Sequence, residues 1–136
     1  MDPRVCQEQF MLALAIWREA RGEPVNAQIA VGCSIRNRTL RATWWNDRTA
    51  ASYTAVILQP YQYSSFNASD PNATKIPNYR DPNFREILGI AASIIDGTQE
   101  DTTSGATHYF DSSIDPPSWT TEMTEVLDLP PFKFFK

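Results

Sequence analysis

The sequence predicts a mainly α fold of the α+β class, and three observations lead there. Apolar residues recur at helical spacing from Phe10 to Ile35 and again from Phe84 to Ile95. Helix start and stop residues punctuate these runs at Asp2-Pro3, Gly22-Glu23-Pro24, Asp81-Pro82 and Gly97. Between them, QPYQYSSFNASDPNATKIPNYRDP and SGATHYFDSSIDPPSW are rich in Pro, Asn, Ser and Asp with interleaved aromatics, the composition of loops and short strands.

Each helix follows from its own signals. Asp2 is a good N-cap and Pro3 suits the first helical position, so the first helix covers residues 3–20, with Gly22 free to turn the chain in a left-handed conformation. The second starts near Pro24 or Asn26, carries Ile29, Ala30, Cys33 and Asn37 along one side, and runs to Leu40. A weaker third helix is expected over residues 49–58. The fourth is capped by Asp81, opened by Pro82, striped by Phe84, Ile87, Leu88, Ala91, Ile94 and Ile95, and stopped by Gly97. Loops as long as those on either side of it, in so small a chain, usually carry function.

Composition narrows the function. With 136 residues and 42% hydrophobic content the chain is long enough for one core and too short for two, so residues 1–136 read as a single domain. A net charge of −4 argues against a phosphate backbone as partner, so nucleic acid is not expected. No apolar stretch reaches the roughly 20 residues of a membrane span, and MDPRVCQEQF has no secretion-signal pattern. The two cysteines, Cys6 and Cys33, are too few for a disulfide scaffold. The Asn-x-Ser/Thr triplets at Asn37, Asn67 and Asn72 are read as chance.

The segment WREARGEP raises the question of chemistry, because Leu12, Ile16 and Glu19 fall at i, i+4 and i+7. The carboxyl thus continues an apolar stripe. Burial there raises its pKa, as a general acid working near neutral pH requires. The competing reading is a structural salt bridge with Arg18, Arg21 or a distant arginine, which would lower it. Other chemistries have less support. His108 is the only histidine, against the two or three of usual catalytic zinc sites, so no metal or cofactor is expected. Cys33 sits inside IAVGCSI as a small core residue, away from the electropositive setting of a nucleophilic thiol.

The ordered stretches LALAIWREARGEPVNAQIAVGCSIRNR, ILQPYQYSSF, IIDGT and SGATHYFDSSIDPPSW resemble the SleB/CwlJ-type cell wall hydrolase family, from Phe10 to Trp119. The resemblance implies a lysozyme-like fold of about four to six helices with a small β-hairpin or sheet beside a cleft. It implies cleavage of peptidoglycan glycan strands between N-acetylmuramic acid and N-acetylglucosamine. It places the family's catalytic acid, first in its Glu-Ala-Arg-Gly-Glu motif, on Glu19. It also assigns a sugar groove to Gln62, Tyr63, Ser64 and Phe66 on one side and to His108, Tyr109 and Trp119 on the other. Amide, hydroxyl and aromatic groups suit a saccharide, whose rings have apolar faces and polar edges. Tyr63 is expected to be a loop side chain over the groove with few core contacts, against the alternative that Tyr63 and Phe66 simply pack under the loop.

Two departures stand out. Arg18 occupies a position where the family commonly has a small residue, and LPPFKFFK lacks the family's His-x-Phe-Tyr type of ending, leaving open what closes that side. The resemblance implies a lytic transglycosylase, which needs one carboxyl. Hydrolysis generally uses two, about 5–5.5 Å apart when retaining and about 6.5–9.5 Å when inverting. Glu23 lies beyond the turn at Gly22 and is expected to hold Arg21 or the second helix's N-terminus. The loop carboxylates Asp70, Asp111 and Asp115 would then serve a hydrolysing muramidase, and a non-catalytic glycan-binding relative is the third alternative. The expected partner is peptidoglycan, met by a monomer without a membrane anchor, such as a phage lysin released through a pore, a virion-borne lysin, or a chain whose signal has been removed.

Overall fold

Helix punctuation places the first two turns of the chain as expected. In the computed structural model, which describes residues 2–41, 52–59 and 62–136, Asp2 accepts from the Arg4 backbone N–H at 2.9 Å and opens α1, Pro3–Ala20. Gly22, at φ +85°, turns the chain out of it. Helix α2, Val25–Thr39, has no side-chain cap, and the Pro24 carbonyl accepts its first N–H groups, from Ala27 and Gln28. Helix α3 covers Tyr53–Leu58, capped by the Ser52 side chain on Ala55 N–H. Residues 49–51 of the expected third helix lie outside the described residues. Helix α4, Pro82–Asp96, keeps its Asp81 cap and ends at Gly97 with φ +84°.

Helix α2 differs from the one-sided helix its pattern suggested. Eleven of its fifteen residues are buried, because α1, α3, α4 and a later strand surround it. Leu12 and Ile16 of α1, Val31 and Ile35 of α2, and Ile87 and Ile94 of α4 make the fully buried centre. At Gly32 the helices come so close that a Cβ would stand 2.5 Å from Ile94 Cδ1 and 2.9 Å from Ile16 Cδ1.

The expected small sheet has three antiparallel strands: β1 His108–Asp111, β2 Glu125–Leu129 and β3 Phe132–Phe135, in the order β1-β3-β2. The ending LPPFKFFK therefore supplies the central strand, entered through the Pro130-Pro131 turn, and so closes the side that the sequence left open. Register pairs Tyr109 with Phe134 and Asp111 with Phe132, so these four share one face. Phe132 and Phe134 join the helical core. On the opposite face Phe110 and Phe135 stack, and Trp119 covers them edge-on. No disulfide joins Cys6, which is exposed, to Cys33, which is buried on α2.

Candidate active site

The last turn of α1 sets Glu19 beside a short 3₁₀ turn, Ser64–Phe66, which arrives from the loop after α3. The Ser65 hydroxyl donates to Glu19 Oε1 at 3.3 Å. Burial lifts this carboxyl from 4.5 to about 7; the Ser65 hydrogen bond opposes the rise and the nearby Asp70 charge adds to it. Among the described residues the ion pairs are Arg4–Asp2 and Lys133–Glu125, so Glu19 has no basic partner and the salt-bridge reading is not observed.

Arg18, adjacent in sequence, is engaged elsewhere. Its buried guanidinium donates to the carbonyls of Ser65 at 3.3 Å, Ala73 at 3.1 Å and Lys75 at 3.0 Å, and it lies 4.5 Å over the Phe66 ring. It clamps the 64–75 loop onto α1 and leaves Glu19 uncompensated. Arg21 donates to Asn72 Oδ1 at 2.9 Å and covers Trp17, so the expected Glu23–Arg21 pair is not formed.

Glu19 opens onto a cavity of about 360 Å³ between the helices and the sheet. Of the residues singled out from the sequence, Gln62, Tyr63, Ser64, Tyr109 and Asp111 line it with Glu19, Asp111 from the end of strand β1 and not from a loop as expected. Tyr63 corrects the expectation of few core contacts. It is only 4% exposed and belongs to the core, and its hydroxyl is buried with no partner among the described residues. Phe66, His108 and Trp119 do not line the cavity. Phe66 lies under Arg18 and borders a separate hollow with Ile57 and Leu58. Strand alternation sends His108 to the face opposite Tyr109, where its ring meets Trp119 at 5.1 Å. Burial, with the charges of Arg38 and Arg41, lowers His108 to about 4, so its imidazole is neutral at physiological pH.

Two contributors escaped the sequence reading. One is Ser65: the sequence points to its neighbour Ser64, but a helical turn here aims Ser65 inward and leaves Ser64 exposed. Arg38, in the polar-looking run IRNRT at the end of α2, is 5% exposed and lines the cavity. Its sequence signal was slight, a position one helical turn beyond Ser34, which the structure shows to be buried. Among the described residues no group of three or more His, Cys, Asp or Glu is placed to hold a metal ion.

Comparison with known proteins adds to this geometry. The fold is similar to the catalytic domain of the germination-specific lytic transglycosylase SleB from Bacillus anthracis, with 24% identity, 95% of this chain and 93% of that one covered, and a TM-score of 0.73. It is likewise similar to the catalytic domain of the Bacillus cereus SleB protein, with 24% identity, coverage of 96% and 91%, and a TM-score of 0.70. No curated protein matches the chain. The sequence profile of the cell wall hydrolase family matches residues 22–134, a span that begins just past Glu19 and takes in the rest of the cavity wall and the closing sheet. With most of its length matched, the chain belongs to the cell wall hydrolase family, enzymes that cleave peptidoglycan.

Proposed function

We propose that this protein is a lytic transglycosylase that cuts the N-acetylmuramic acid to N-acetylglucosamine linkage, with Glu19 as acid and then base. The observation that carries the reading is the Glu19 carboxyl, held at about 7 with no basic partner among the described residues, on the wall of a cavity that offers amide, hydroxyl and aromatic groups. The likeness to a SleB catalytic domain described as a lytic transglycosylase supports the same chemistry. Protonated Glu19 gives its proton to the glycosidic oxygen as the bond from the muramic acid C1 breaks. The substrate's own acetamido oxygen stabilises the positive charge at C1. The muramic acid 6-hydroxyl then attacks C1 and returns its proton to Glu19, leaving a 1,6-anhydro ring and consuming no water.

One observation favours a second reading, hydrolysis by a muramidase, because Asp111 lines the same cavity as Glu19 and would supply the second carboxylate. Mass spectrometry of digested sacculi separates the two. Transglycosylation leaves anhydromuramic ends, whereas hydrolysis leaves reducing ends heavier by one water. Reducing ends alone, lost in Asp111→Asn, would establish the muramidase. Failure of the wild-type chain to cut sacculi at all would establish a non-catalytic relative.

A further inference from the structure

The Gln62 side chain can face Arg38 in only one way. A guanidinium has donors and no acceptor, so the amide atom against it must be oxygen. Arg38 Nη1 donates to Gln62 Oε1 at 2.9 Å. Arg38 is itself fixed, with its Nε on the Thr107 carbonyl at 2.6 Å and its guanidinium 5.2 Å over the Tyr63 ring. The amide nitrogen of Gln62 is thereby turned away from Arg38, and it meets no acceptor among the described residues. Gln62 lines the Glu19 cavity, as does Tyr63, whose hydroxyl is buried with no partner among the described residues.

We propose that Arg38 is a positioning residue that sets the polarity of Gln62, making it a fixed N–H donor that selects glycans by an acetamido carbonyl oxygen. The inference rests on the glycan reading and deepens it. A carbonyl oxygen accepts and never donates, so it complements a donor-only group; a glycan without acetyl groups leaves that donor unmatched. A site built to hydrogen-bond one group rejects the analogue lacking it more strongly than an apolar pocket rejects a change of size.

Calorimetric titration with the N-acetylglucosamine tetramer, and with the same tetramer stripped of acetyl groups, tests the proposal. The wild-type chain is expected to prefer the acetylated tetramer by about tenfold or more. Gln62→Glu keeps the contact with Arg38 and loses the donor; Gln62→Met loses both without adding charge. Both should weaken binding of the acetylated tetramer by about tenfold with little change in Tm, and Gln62→Met should leave the stripped tetramer within about twofold. Arg38→Met should weaken the acetylated tetramer in the wild-type background and have no further effect in the Gln62→Met background, the coupling expected of a residue that acts through another. Should Arg38→Met fail to fold, the two Gln62 variants decide. Wild-type binding with Gln62 variants unchanged overturns this inference alone. A wild-type chain that binds neither tetramer overturns the glycan reading and the inference with it.

Discussion

Glu19 holds its proton because α1 delivers it to a place where ionisation is poorly solvated, and where the neighbouring Asp70 charge works in the same direction. Ser65 is the counterweight, since its hydroxyl favours the ionised form. The balance has a consequence for stability. The unfolded chain releases this proton at 4.5 and the folded chain holds it to about 7, so in that window the folded state binds more protons and stability falls as pH rises. The loss approaches about 3 kcal/mol above pH 7 and is absent below about pH 4. Glu19→Gln should therefore melt higher than wild type at pH 8 and match it near pH 4, while losing a factor of about 10² to 10⁴ in cleavage. The alkaline limb of kcat/KM should fall near pH 7. A variant clearly less stable than wild type at pH 8 would mean that the glutamate is ionised and paired in the fold.

Helices α1, α2 and α4 meet around Gly32, where the missing side chain lets them approach. Alanine there gains about 1 kcal/mol of helix propensity, yet its methyl would press on the tips of Ile16 and Ile94, both fully buried. Overpacking of this kind costs about 1–3 kcal/mol, so Gly32→Ala should be destabilising by roughly 1 kcal/mol net. Adding Ile94→Val removes the closer of the two contacts and should recover most of the loss. Urea unfolding of the single and double variants measures both effects; a more stable Gly32→Ala would show that the helices have room to spare. At this scale the helix boundaries were legible because caps are local: Asp81, Pro82 and Gly97 act within a few residues of themselves. The burial of α2 on every side was not legible, because it depends on three other helices and a strand arriving around it.

At the scale of the whole fold, residues Phe132–Phe135 tie the sheet to the helices. Strand β3 lies between β1 and β2, and its Phe134 is fully buried against the helical core while Phe132 lines the cavity. The sheet is thus one wall of the candidate site and part of the core that fixes the opposite wall. Phe134→Ala should cost about 3–5 kcal/mol. Because strand and helices share that core, the helical circular dichroism should shift its denaturation midpoint by the full amount. A helical signal that melts at the wild-type midpoint would show the sheet to be an appendage.

What the chain determined by itself was local or periodic: four helices, their caps and turns, a carboxyl on an apolar stripe, and a loop segment with the right groups for a sugar. Helical spacing turned Glu19 toward the core, and burial there raises its carboxyl so long as no cation pairs with it. Tertiary structure decided which groups share the cavity. Arg18 was equally placed in sequence to neutralise Glu19, but the carbonyls of Ser65, Ala73 and Lys75, 47 to 57 residues away, hold its guanidinium instead. Strand register, set by pairing with the distant strand β3, Tyr109 with Phe134 and His108 with Phe135, put Tyr109 on the side of Glu19 and His108 on the other. Such choices are made by chain segments that meet only on folding, and a polar side chain goes to whichever partner then satisfies it.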